Sequence, residues 1–151
     1  MPQKITTFLW FDDNAEQALE LYLSLFPDSK IIQSSRMDGP NGKFFSATFQ
    51  LAGQQFMAIN GGPHYRFTEA VSLFVDCETQ EEIDRLTARL LEGGGTQQPC
   101  GWLKDRFGLS WQIIPSNLGK LLGDPDRAKA GRVMQAMLGM KKLDIAALER
   151  A

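Results

Sequence analysis

The chain has one histidine and two cysteines in 151 residues. With a single imidazole, a two-histidine metal site is impossible, and any Ser–His–Asp set would have to use His64. Cys77 and Cys100 form no CxxC pair and cannot make a zinc site by themselves. No apolar run approaches the roughly 20 residues of a membrane span. The N-terminal MPQKITTFLWFDD is cut by Asp12 and Asp13 before it reaches the length of a signal-peptide core. A cytoplasmic chain with two reduced thiols is therefore expected. The basic residues are scattered, 16 Lys and Arg against 18 Asp and Glu for a net charge of -2, so no nucleic-acid surface and no membrane partner are expected. No glycine-rich loop leads from a strand into a helix; the run Gly93–Gly95 follows one.

What is present is a core-forming chain, 43% hydrophobic and 23% charged. ITTFLWF (5–11) is β-branched and aromatic, the composition of a buried strand. Asp13 and Glu16 have the spacing of a capping box, and Leu19, Tyr22 and Phe26 follow as a helical stripe stopped by Pro27. Strands are predicted over 29–36, over FFSATFQL and over QQFMAI, the last two joined at Ala52-Gly53. After NGGPHYRFTE the order starts again with AVSLFVD. Thr79 and Glu82 repeat the capping box, and Ile83, Leu86 and Leu90 repeat the stripe at a constant offset of 64 from Leu19, Tyr22 and Phe26. Strands follow over 96–103 and 109–114. Such a period is too long for a solenoid. It predicts two βαβββ modules in one domain, module 1 over about 1–61 and module 2 over about 68–115, with a helical tail over 116–151. In the tail, Asp124 and Pro125 form a helix start. Val133, Met137 and Met140 form an apolar stripe, and Asp144 caps a last helix. The stripe has no evident partner within the modules.

The stretch CGWLKDRFGLSWQIIP (100–115) holds two of the three tryptophans. Asp105 and Gly108 occupy the first and fourth places of a type I turn, so the stretch reads as a hairpin with a solvated Lys104–Arg106 tip. Alternation places Trp111 with Ile113 on one face and Gln112 with Ile114 on the other. By the same logic Trp10 is expected in the core. Cys100 is read as a half-buried thiol and, in the alternative, as a nucleophile activated by Lys104 and Arg106. His64 is read as an exposed loop residue, with a proton donor at a pocket mouth as the alternative.

The stretches WFDDNAEQALELY, FMAINGGP, SLFVDCETQEEIDRL and CGWLKDRFGLSWQIIP resemble the PhnB-like group of the vicinal oxygen chelate superfamily, which includes glyoxalase I, extradiol dioxygenases and fosfomycin-resistance proteins. The resemblance spans nearly the whole chain. It implies an α+β fold of paired βαβββ modules forming a curved mixed sheet, with helices on the convex side, and a homodimer. The group often carries a 3-demethylubiquinone methyltransferase label, which the missing glycine-rich loop does not support. The superfamily's metal ligands map by motif to Thr7, Asn60, Ser72 (or Ala70) and Gln112. All are neutral, so no tightly bound metal is expected and a divalent ion would be held only weakly. The resemblance also implies a ligand cavity lined by Thr7, Leu9, Phe11, Asn60, Ser72, Phe74, Gln112 and Ile114, with His64, Cys100 and Trp102 as further candidates. Three functions fit: a small-molecule-binding protein, a superfamily-type enzyme (lyase, dioxygenase or transferase) with a weak or absent metal site, and a ligand-free structural or regulatory dimer.

Overall fold

The two predicted modules appear as two four-stranded mixed sheets, each with one helix on its buried face. A computed structural model describes residues 3–151, and the chain divides into two compact units at Phe67/Thr68. The first unit contains β1 (Thr7–Phe11), α1 (Ala15–Leu25), β2 (Lys30–Arg36), β3 (Phe44–Leu51) and β4 (Gln54–Asn60), with strand order β1-β4-β3-β2. The second contains β5 (Ser72–Cys77), α2 (Gln80–Leu91), β6 (Thr96–Gln97), β7 (Trp102–Lys104) and β8 (Ser110–Pro115), in the equivalent order β5-β8-β7-β6. In both units the first and last strands pair in parallel and the others antiparallel. The β3–β4 hairpin turns at Ala52 and Gly53, whose φ values are both positive, as a two-residue turn matched to the strand twist requires.

Burial follows the strand alternation. In the first sheet Leu9, Phe11, Ala47, Phe49, Phe56 and Ala58 are buried on the face where α1 packs against β3 and β4. In the second, Trp111, Ile113, Leu103 and Cys77 are buried on the α2 side. Ile83, Leu86 and Leu90 are fully buried, as the stripe predicts. In α1 the stripe is Leu19, Tyr22 and Leu25; Phe26 lies outside the helix as its C-cap and is only half-buried.

Four local expectations are corrected. The N-cap position of α1 is Asn14 rather than Asp13, and the N–H of Ala15 is met from another strand, by Asn60 Oδ1 at 2.8 Å. The strand expected over 96–103 is broken by a 3-10 turn at Pro99–Gly101, where Cys100 (φ 61) and Gly101 (φ 82) are both left-handed. Helix α4 (Arg127–Leu138) starts two residues later than Asp124-Pro125 suggests, capped by Asp126. Asp105 is not on a solvated tip. It is 2% exposed, its Oδ1 accepting from the N–H groups of Phe107 and Leu109 and its Oδ2 from Trp111 Nε1. The hairpin itself closes as read, with Gly108 donating to the carbonyl of Asp105.

The tail forms α3 (Leu118–Leu122), α4 and α5 (Ile145–Arg150), the last capped by Asp144. Its stripe finds its partner within the unit. Val133, Leu118, Leu143 and Leu148 form a core with Ile114, and Met137 and Met140 pack against it.

Candidate ligand-binding site

Each sheet has a second face that its helix leaves open. On the second sheet, register fixes what lies there. Phe74 pairs with Gln112, and Gln112 pairs with Trp102, so the three form one row across β5, β8 and β7. The next row is Ser72, Ser110 and Lys104. Gln112 Nε2 donates to Ser72 Oγ at 2.9 Å, which ties the two rows together. Phe74 is 59% exposed, whereas Trp111, one residue from Gln112 and on the other face, is 1% exposed. Lys104 pairs with Glu69, and that ammonium holds the Glu69 carboxyl below the usual carboxylate range. The Oγ of Ser110 is buried without a hydrogen-bond partner.

The third residue of this face, Ile114, was expected in the lining. It is 6% exposed because the tail core covers it. Cys100 belongs to the same tail seam: its Sγ contacts the Met137 carbonyl at 3.7 Å and its N–H donates to Met140. Burial pushes the other thiol, Cys77, up to about 12, with the nearby Glu82 carboxylate adding to the effect, so Cys77 is inert at neutral pH.

In the first unit the expected lining falls on the α1 face, since Thr7, Leu9 and Phe11 share one parity and Asn60 pairs with Phe11. Leu9 and Phe11 are core residues, at 4% and 2% exposure, because their parity puts them on the α1 side. Trp10, expected in the core, has the opposite parity. It is half-buried, its Nε1 donates to the Gly62 carbonyl, and its ring meets Tyr65 edge-on at 4.9 Å. Phe8, 51% exposed, shares its face. A small pocket of about 180 Å³ on the same sheet is lined in part by Ser35, Ser46, Thr48 and Met57. His64 is exposed in the loop after Gly62. A larger cleft, about 700 Å³, lies at the start of α1 and takes in Asp12, Glu16, Arg36, Lys43 and Asn60. Arg36 there is paired with Glu16.

The four mapped ligand positions do not fit a metal ion. Thr7 is exposed and pairs with Phe56, while Asn60 pairs with Phe11. Four residues of strand, about 13 Å, therefore separate Thr7 from Asn60 along the ladder. Both amide atoms of Asn60 are engaged, Oδ1 by Ala15 N–H and Nδ2 by the Phe44 carbonyl at 3.2 Å. Ser72 and Gln112 are together, but they offer one hydroxyl and one amide and no carboxylate. Among the described residues no cluster of three His, Cys, Asp or Glu side chains could hold an ion. No helix among them is long and apolar enough to cross a membrane.

Paired βαβββ units with parallel outer pairing define the glyoxalase/bleomycin-resistance type of α+β fold. The family model described as 3-demethylubiquinone-9 3-methyltransferase matches residues 3–114. A putative 3-demethylubiquinone-9 3-methyltransferase, PhnB protein, from Bacillus cereus is 41% identical. Its TM-score is 0.68, and the match covers 75% of this chain and 99% of that one. Protein PA1353 from Pseudomonas aeruginosa is 20% identical with a TM-score of 0.62, over 76% and 98% of the two chains. The fosfomycin resistance protein FosX from Listeria monocytogenes is 17% identical with a TM-score of 0.52, over 76% and 93%. The last two are likenesses of fold. Among curated proteins no match was found. The chain belongs to the PhnB-like 3-demethylubiquinone-9 3-methyltransferase family of the vicinal oxygen chelate superfamily.

Proposed function

We propose that the chain is a small-molecule-binding protein whose ligand lies on the open face of β5, β8 and β7. The observation that carries this reading is the row Phe74–Gln112–Trp102. Adjacent strands lie about 4.8 Å apart, so the two aromatic residues stand roughly 10 Å apart with an amide between them. A planar group over Gln112 meets an aromatic side chain on either side and a hydrogen-bonding amide beneath. Small-molecule sites are commonly built this way, mostly apolar with a few placed polar groups. The cation of this face, Lys104, is already paired with Glu69. The ligand class is therefore uncharged, weakly polar and aromatic.

A thermal-shift screen tests this. A ligand at ~100 times its dissociation constant stabilises a fold by ~2.7 kcal/mol. Neutral aromatic compounds are expected among the hits, and phosphonates and carboxylates are not. Phe74→Ala and Gln112→Ala should each abolish the shift while leaving the ligand-free melting temperature nearly unchanged. Hits confined to anions, or a neutral-ligand shift that survives both substitutions, would overturn the reading. The methyl transfer in the family's description is not part of the proposal, because the chain carries no glycine-rich strand-to-helix loop to cradle a nucleotide-like cofactor.

A further inference from the structure

The family model ends at Ile114, and the tail lies beyond it. Ile114 has the parity of Ser110 and Gln112, so its side chain belongs to the open face. The tail's apolar core is built on that side chain. The first tail residues leave β8 with Ser116 donating to the Cys77 carbonyl at 2.7 Å, and α3 to α5 then return over the Ile114 end of the sheet.

The returning segment is pinned at three places. Cys100 and Gly101, just before Trp102, donate their N–H groups to the carbonyls of Met140 and Lys141 at 2.9 and 2.7 Å. The Gln80 amide on α2 holds the chain on both sides of Asp144, donating to the Leu143 carbonyl at 3.0 Å and accepting from Ile145 N–H at 2.8 Å. Lys142 pairs with Asp84 at 2.8 Å. Gly101 sits in the seam. A Cβ there would lie 2.8 Å from the Ile113 carbonyl oxygen, 3.0 Å from Ile114 Cδ1 and 3.1 Å from Leu143 Cδ1. A segment so closely packed and pinned is a fixed part of the unit.

We propose that the tail is the end wall of the ligand site and sets the length of ligand this chain accepts. The inference rests on the reading of the open face as the binding surface. Successive same-face residues along a strand are about 7 Å apart. Along β8, Ile114 is closed by the tail and Ser110 is itself fully buried, so the accessible stretch centres on Gln112 with Phe74 and Trp102 beside it, while Asp76 at the β5 edge stays exposed. That leaves room along β8 for a one-ring compound. A second ring joined end to end and extending past Gln112 runs into the tail core.

The experiment compares benzamide with 4-phenylbenzamide, two uncharged aromatic amides of different length, by isothermal titration and thermal shift. Wild type should bind benzamide at least about tenfold more tightly, the size of effect that pocket length produces. Two variants release the wall: a chain ending at Pro115, and the full-length Gln80→Ala/Leu143→Ala double substitution, which keeps the test open if the shortened chain does not fold. In the folded variant the preference should fall to within about threefold. Equal or tighter binding of 4-phenylbenzamide by wild type overturns the proposal. So does a length preference unchanged in the folded variant; if Phe74→Ala still abolishes benzamide binding, the wall fails and the ligand face stands. Binding of neither amide by wild type or variant overturns both.

Discussion

Helices α1 and α2 occupy equivalent places in two units of the same strand order, yet their first turns are held differently. In α2 the cap is local: Thr79 Oγ1 accepts from Glu82 N–H at 3.1 Å, and the Glu82 carboxylate reaches back to the N–H of Glu78, one residue before the cap. In α1 it is distant: Asn60, at the end of β4, accepts from Ala15 N–H and donates to Phe44 on β3. One side chain thus ties the helix to the two strands it packs on. The second unit is stitched elsewhere, by the Asp105 carboxylate inside its hairpin and by the tail over Ile114. Repeated topology does not imply repeated fastening.

Three sets of substitutions break or sharpen this contrast. The largest effect is expected at the hairpin. Trp111→Ala should cost ~3–5 kcal/mol, as large-to-small core changes do, and it also removes the indole N–H from the buried Asp105 carboxylate. Gln112→Ala, on the open face, should cost less than about 1 kcal/mol. Denaturant melts in the reverse order would invert the facing of β8 and remove the proposed site with it.

Next come the two caps. Asn60→Ala loses two hydrogen bonds and should cost about 1–3 kcal/mol, whereas Thr79→Ala should cost ~1 kcal/mol. Asn60→Asp, which can still accept from Ala15 but cannot donate to Phe44, should fall between Asn60→Ala and wild type. A Thr79→Ala variant less stable than Asn60→Ala would erase the distinction between local and distant capping.

The smallest effect is expected at Ser110, whose buried hydroxyl has no partner. Ser110→Ala relieves an unsatisfied polar group and should stabilise the ligand-free protein by up to about 1 kcal/mol. A loss of stability instead would mean that the hydroxyl is engaged, and the row it shares with Ser72 would need to be redrawn.

The sequence by itself determined the paired βαβββ order, the strand positions outside 96–103, the Thr79 cap, the Asp105–Gly108 turn and the opposed facing of Trp111 and Gln112. All of these are encoded within one or two turns of chain, where periodicity and local hydrogen bonding act on neighbouring residues. Tertiary structure alone decided the rest. In β1 the hydrophobic run has apolar residues on both faces, so composition could not say that Leu9 and Phe11 are buried while Phe8 is exposed. Asp105 reads as a turn residue, and only the return of β8 brings the Trp111 indole to its carboxylate. Asn60 reads as a candidate ligand position because the helix it caps begins 45 residues earlier. Ile114 reads as lining because alternation reports which face a side chain leaves from, not what later folds over it. The tail returns to that face through backbone bonds from Cys100 and Gly101 and through the Gln80 amide, contacts between residues far apart in the chain that leave no local signature.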